Sequence, residues 1–161
     1  MSDWEKILNF AEWLAAYGKK FSTNENFEEQ RMAIVLLDQS MELMMKAFLI
    51  KKGYKIDYFS REDISRGLKE KDSLSEEMMI EFFPALALVK KELHDIDDNE
   101  IKHFHKIRNK IYHGAIINLK EDKVSEIEKF LPELWKFYEV AFEGKSFDTD
   151  ILDKVPDTRN R

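Results

Sequence analysis

Cysteine is absent from this chain of 161 residues, and glycine and proline number only five and three. Without cysteine there is no disulfide framework, no thiol nucleophile and no cysteine-ligated zinc or iron–sulfur site. So few turn-forming residues disfavour a many-stranded sandwich or barrel. Hydrophobic residues nevertheless make up 43% of the chain, and this length suits one domain. We therefore expect a single domain with a substantial apolar core.

Long apolar runs are also missing. No stretch approaches the roughly 20 residues that cross a bilayer, and the start, MSDWE, lacks the basic and apolar regions of a signal peptide. The sequence therefore predicts a cytoplasmic protein without a membrane partner. Its formal net charge of −6 argues against a general nucleic-acid coat, although a local basic site is compatible with it.

Apolar residues recur three and four positions apart through most of the chain, as in amphipathic helices. This pattern predicts an all-α fold, an up-and-down antiparallel bundle of four to five helices over residues 1–143. The polar segment 144–161 is expected to be a mobile tail. Ser2 with Glu5, and Asn26 with Glu29, have the spacing of capping boxes. The predicted helices run from Ser2 to about Gly18, Asn26 to Gly53, Phe83 to Leu93, Asn99 to His113 and Glu121 to Phe142.

Four segments have less regular patterns. Pro132 lies inside the last predicted helix, where proline predicts a kink or a break into two pieces. A short helix over Ser60–Lys69, a capped stretch from Ser73 and an extended connection over Ala115–Leu119 are further expectations.

The segment from Ile101 to Gly114, IKHFHKIRNKIYHG, holds three of the four histidines of the chain. From Asn99 to His113, four basic side chains against the single Glu100 give a formal charge of +3. A basic helix on an acidic protein attracts phosphate. The alternative is a solvated helix face whose lysines only keep the protein soluble.

Arg108, Asn109 and His113 together suit the cleavage of RNA without a metal. An arginine presents a fixed fork of donors to a phosphate that gains negative charge. A histidine that titrates near neutrality exchanges protons with the ribose 2′-hydroxyl or the leaving oxygen. On an ideal helix Arg108 and His113 point apart. They converge if the last turn unwinds toward Gly114, or if a second subunit brings its own pair alongside.

The segment Arg108-Asn-Lys-Ile-Tyr-His113 resembles the arginine–polar–three-residue–histidine motif of the HEPN superfamily (higher eukaryotes and prokaryotes nucleotide-binding domains). Gly114 and the earlier helix containing Glu42-Leu-Met-Met-Lys46 are similar to that family as well, and the resemblance covers roughly Asn26 to Phe142. It implies a helical bundle that pairs two-fold, so that two motifs face one groove. It also implies a cofactor-free, metal-independent endoribonuclease that leaves a 2′,3′-cyclic phosphate and a 5′-hydroxyl.

By position, the resemblance makes Arg108 and His113 catalytic and gives Asn109 a supporting role. It implies a homodimer with an RNA substrate, acting in toxin–antitoxin, abortive-infection or CRISPR-linked defence. An antitoxin or nucleotidyltransferase-like protein is the partner that this implies. Some toxin members carry a tyrosine two residues after the histidine, where this chain has Ala115, so regulation through that tyrosine is not expected. The alternatives are an inactive HEPN module that binds RNA, nucleotide or protein, and a helical adaptor with no nucleic-acid role.

Four further residues of the same helix are candidates for substrate binding: Lys102, His105, Lys110 and Tyr112. His105 lies three residues before Arg108 and so on the same side, although a surface or packing role is the alternative. Tyr112 stacks on a base or packs at a dimer seam, and both interpretations stay open. His103 and His105 are two apart, which on a helix points them to nearly opposite sides, so no metal site is expected.

Polar residues in the second helix form one narrow stripe, with Asp38, Glu42 and Lys46 spaced by four. They either project toward the groove or form an intrahelical Glu42–Lys46 ion pair on a partly buried face. Three methionines of this helix and two further along the chain are expected in the core rather than on an adaptable contact surface: Met41, Met44, Met45, Met78 and Met79.

Overall fold

The computed structural model describes residues 1–23, 26–54, 81–112 and 123–145, and every regular element within these ranges is an α-helix. The predicted all-α antiparallel bundle is confirmed. None of the described helices is long and apolar enough to cross a membrane. The expectations for 60–69, for the stretch from Ser73 with Met78 and Met79, for 115–119 and for the tail beyond 145 lie outside the described residues. The helices are α1 (Asp3–Ser22), α2 (Phe27–Lys51), α3 (Phe82–Glu92), α4 (Asp98–Tyr112) and α5 (Val124–Ala141).

Local sequence signals set the ends of α1 and α2. A Glu5 carboxylate oxygen accepts hydrogen bonds from the Ser2 backbone N–H at 3.4 Å and from its hydroxyl at 2.7 Å. Asn26 Oδ1 accepts from the backbone N–H groups two and three residues further on, at 2.8 and 3.3 Å. Gly53, with φ +94°, follows the end of α2. The capping box at Ser2 and the N-cap at Asn26 therefore form, because each depends only on residues within a few positions.

Helix α2 lies at the centre of the bundle and contacts each of the other four helices. Its buried residues include Met41, Met44 and Met45, so these methionines belong to the core as expected. Phe48 meets Phe137 of α5 edge to face, with ring centroids 6.1 Å apart. A helix that is apolar on nearly every side is thus covered on nearly every side.

Helix α4 is held against α5 by a pair of fully buried phenylalanines. The rings of Phe104 and Phe130 stack with centroids 3.8 Å apart and an interplanar angle of 2°. Ile101 and Ile107, on the same face of α4, are buried beside them in the core. This packing fixes which face of α4 turns inward, and thereby where its polar side chains lie.

Helix α5 is continuous from Val124 to Ala141, so the predicted break into two pieces at Pro132 is wrong, whereas the kink that was the other alternative stays a prediction. Proline removes one backbone hydrogen bond, the one that its missing N–H would donate to the carbonyl of Glu128. Its ring is exposed, whereas Phe130 and Leu134 on either side are fully buried. Core packing therefore keeps the helix together across a single lost bond.

Gly18 lies inside α1, which continues past it to Ser22, and it permits a close approach of α2. A Cβ atom at this position would lie 2.6 Å from Leu37 Cγ and 3.3 Å from the Ala33 carbonyl oxygen. Contacts of that length force a neighbour to move. Glycine is therefore needed here for space, although it weakens the helix.

We expect Gly18→Ala to lower the free energy of unfolding by about 1 kcal/mol. Overpacking costs about 1–3 kcal/mol, of which the better helix propensity of alanine recovers about 1 kcal/mol. Urea unfolding followed by circular dichroism measures the change. Ala87→Gly, at an exposed position of α3, is the matched control for propensity alone. An unfolding midpoint for Gly18→Ala above that of the wild type would contradict the steric argument.

Candidate functional site

A buried carboxylate on α2 joins two of the predicted site residues on α4. Asp38 has no exposed surface. Its Oδ2 lies 2.9 Å from His105 Nδ1 and 3.3 Å from Arg108 Nε. His105 and Arg108 are three residues apart, so both side chains leave α4 on the side that faces α2. These three residues form the centre of the candidate site.

His105 is held by aromatic packing as well as by Asp38. It is only 7% exposed, and its ring lies flat on Phe82 with centroids 3.6 Å apart and an interplanar angle of 6°. Phe83 meets the same ring edge-on at 5.2 Å and is itself 40% exposed. This geometry fits the packing role that was the alternative for His105. A direct contact with substrate stays a prediction.

Arg108 lies between the buried carboxylate and the surface, with 22% of its side chain exposed. Its Nη1 donates a hydrogen bond to Asn109 Oδ1 at 2.8 Å. Its guanidinium carbon lies 4.8 Å from the centroid of the Tyr112 ring, which is 66% exposed. A carboxylate, an amide and an aromatic ring therefore surround one guanidinium, and cation–π contact contributes to its orientation.

The electrostatics of Asp38 are dominated by its burial. Burial raises the pKa of its carboxyl group, and the charge of Glu42 acts in the same direction. The hydrogen bond and charge of His105, and the charge of Arg108, lower that pKa, but the net result is a raised pKa. Asp38 Oδ1 is buried and has no hydrogen-bond partner among the described residues. An unpartnered buried oxygen costs about 1–3 kcal/mol, so packing alone does not explain this residue.

The remaining predicted site residues are Lys102, Lys110 and His113, and neither lysine forms an ion pair with Asp38 among the described residues. Lys102 forms an ion pair with Asp98 one turn earlier, with Nζ and Oδ2 3.3 Å apart. Lys110 is exposed in the last turn of α4. His113, the predicted proton carrier, lies outside the described residues, so its convergence with Arg108 stays a prediction.

The stripe of polar residues on α2 divides into two parts. Lys46 Nζ lies 3.7 Å from Glu42 Oε1, which is the intrahelical ion pair that was one of the two alternatives. Asp38 instead pairs with α4. Sequence reasoning did not include Asp38 among the site residues, although a signal was present. A carboxylate that directly follows the apolar run AIVLL (residues 33–37) must find a partner when the helix is buried.

The two neighbouring histidines of α4 face different surroundings, as their spacing predicts. His103 is exposed, and its Nε2 lies 3.1 Å from Glu126 Oε2 on α5, whereas His105 is buried against α2 and α3. Within the described parts of the chain, no group of three or more histidine, aspartate or glutamate side chains is placed to hold a metal ion.

Comparison with protein-family models, with curated proteins and with solved structures finds no match to this chain.

Proposed function

We propose that this protein is a metal-independent endoribonuclease of the HEPN type, a toxin or phage-defence component that works as a homodimer. The observation that carries the proposal is the way in which the Arg108 guanidinium is held by its neighbours. Its Nε lies 3.3 Å from the buried Asp38 carboxylate and its Nη1 is bonded to Asn109, at the end of a basic helix. A guanidinium held on two sides is preorganised to stabilise charge that develops on a phosphate.

The proposed reaction uses only groups that this chain supplies. The ribose 2′-oxygen attacks the adjacent phosphorus, the bond from phosphorus to the 5′-oxygen breaks, and a 2′,3′-cyclic phosphate forms. His113 takes the proton from the 2′-hydroxyl, and a second proton is delivered to the leaving 5′-oxygen. Arg108 stabilises the charge on the phosphate, while Asn109 orients the guanidinium. Two chains would supply two histidines, one for each proton transfer.

The test is RNA cleavage in the presence of a chelator. We expect the wild type to cut an end-labelled, unstructured RNA in excess EDTA and to leave cyclic phosphate ends. An otherwise identical RNA with 2′-deoxyribose at the cleaved position should resist, because the nucleophile is missing. Cleavage of that deoxy position would rule out the proposed reaction, and light scattering that shows a monomer at micromolar concentration would rule out a composite site.

One observation favours the inactive binding module as a second candidate. Arg108 already shares its charge with Asp38, and this pairing reduces the charge available to a developing phosphate dianion. A binding module predicts that RNA binds, with affinity that falls steeply as salt rises, but is not cut. Filter binding and the cleavage assay on the same RNA distinguish the two candidates.

We expect Lys110→Ala to weaken RNA binding and to make it less dependent on salt. Lys110 is exposed next to Asn109, and loss of one phosphate contact should reduce the slope of log K against log salt by about 0.7 for a single strand. Lys6→Ala on α1 is the matched control, since this exposed lysine lies at the start of α1 and pairs with Asp3. An unchanged slope for Lys110→Ala would remove this residue from the binding surface.

A further inference from the structure

The central helix brings to α4 one carboxylate that the proposed reaction does not use directly. Asp38 lies in a stretch of α2 where Ile34, Leu37 and Met41 are all fully buried. Replacing a buried ion pair by well-packed apolar residues is often neutral or stabilising. Packing alone would therefore be served at least as well by an apolar side chain. We therefore look for the function of this aspartate in how it arranges its partners, His105 and Arg108.

The carboxylate of Asp38 is itself fixed in a definite orientation. His105 Nδ1 lies 2.9 Å from Oδ2 in a hydrogen bond, and the His105 ring is clamped flat against Phe82. The same oxygen lies 3.3 Å from Arg108 Nε, which makes no aligned hydrogen bond of its own among the described residues. Phe82 thus fixes His105, His105 fixes Asp38, and the charge of Asp38 attracts the Nε edge of Arg108.

We propose that Asp38 is a positioning residue, which turns the Nε edge of the Arg108 guanidinium inward, so that the N–H groups not bonded to Asn109 are left for the phosphate of an RNA substrate. This inference rests on the proposed nuclease function for its consequence in catalysis. The pairing of Asp38 with Arg108 is measurable without any reaction. Asp38 acts through Arg108 and does not itself touch the substrate.

Asp38→Asn tests the catalytic consequence, since it keeps the shape of the side chain and removes its charge. We expect kcat for RNA cleavage to fall about 10- to 100-fold, as for other groups that orient a reacting residue, with KM changed less than about threefold. In an Arg108→Ala background the same substitution should cause no further loss. Glu12→Gln, which alters a carboxylate that accepts a hydrogen bond from Tyr138 at 2.7 Å, is the matched control.

Nitrogen-15 NMR of arginine side chains measures the surroundings of the Arg108 guanidinium directly. Its signal would not change on substitution of Asp38 if Asp38 had only a structural role. The Nε–H signal of Arg108, assigned by its loss in Arg108→Ala, should be shifted and slow to exchange in the wild type. In Asp38→Asn it should move toward the position of a free arginine, and in Glu12→Gln it should not move. An Arg108 signal unchanged by Asp38→Asn would overturn the proposal, as would an unchanged kcat in a variant with a native circular dichroism spectrum.

A second measurement uses no Asp38 variant, so it stands even if Asp38→Asn does not fold. Carbon-13 NMR follows the titration of the Asp38 carboxyl group in the wild type and in Arg108→Ala. Because the charge of Arg108 lowers the pKa of Asp38, its removal should raise that pKa, with His105 and Glu42 unchanged beside it. An unmoved pKa would overturn the pairing. Failure of the wild type to cut RNA would overturn the nuclease function instead, and the NMR results would still decide the role of Asp38.

Discussion

We expect Arg108→Ala to lower kcat for the proposed chelator-resistant RNA cleavage by about 10³-fold, which is the largest effect that we predict for any single substitution in the site. In the proposed reaction the guanidinium is the charged donor to the phosphate, and removing one preorganised donor of this kind costs about 10²- to 10³-fold. The variant also leaves Asp38 buried with His105 as its remaining partner. Single-turnover cleavage with enzyme in excess measures the chemical step separately from binding.

Arg31→Ala is the matched control for this experiment, because Arg31 Nε donates to the Phe27 carbonyl within α2 at 3.3 Å. Its cleavage rate should stay within about twofold of that of the wild type. Arg108→Lys keeps the charge but lacks the planar fork, so it should recover only a small part of the activity. Cleavage by Arg108→Ala at more than about one tenth of the wild-type rate would contradict the role of Arg108 as the residue that stabilises the phosphate.

The elements that sequence predicts well are those set by neighbours along the chain. The caps at Ser2 and Asn26 and the central position of α2 follow from spacing over a few residues or from a continuous apolar pattern. The predicted break at Pro132 is wrong because a local rule was applied where packing on both sides of the proline decides. Local patterns thus predict which segments are helical better than they predict how those helices pack.

The candidate site depends on contacts between residues far apart in sequence. Arg108 and Asn109 follow from one short motif, whereas the contacts of Asp38 with His105 and Arg108 span 67 and 70 positions. Helical periodicity shows which face of α2 is apolar, but it does not show which helix covers that face. The position of Asp38 directly after an apolar run indicates that its carboxylate needs a partner. Only the packing of α4 against α2 shows that the partners are His105 and Arg108.

Phe104→Ala should lower the free energy of unfolding by about 3–5 kcal/mol, which is the largest effect on stability that we expect. Phe104 is fully buried, and its ring stacks on Phe130 at 3.8 Å. The truncation removes apolar burial and leaves a cavity between α4 and α5. Total stabilities are about 5–15 kcal/mol, so the variant would keep only a small margin. Urea unfolding at low temperature, with wild-type and variant slopes compared, measures the loss.

Phe10→Ala is the matched control, since Phe10 on α1 is 54% exposed and its truncation should change stability by less than about 0.5 kcal/mol. A loss below about 1 kcal/mol for Phe104→Ala would mean that the core collapses around the missing ring.

The result also bears on the site, because α4 is held on one side by Phe104 and on the other by Asp38. If the folded fraction of Phe104→Ala still shows the wild-type Arg108 Nε–H signal, then the contact with α2 is sufficient to orient the guanidinium.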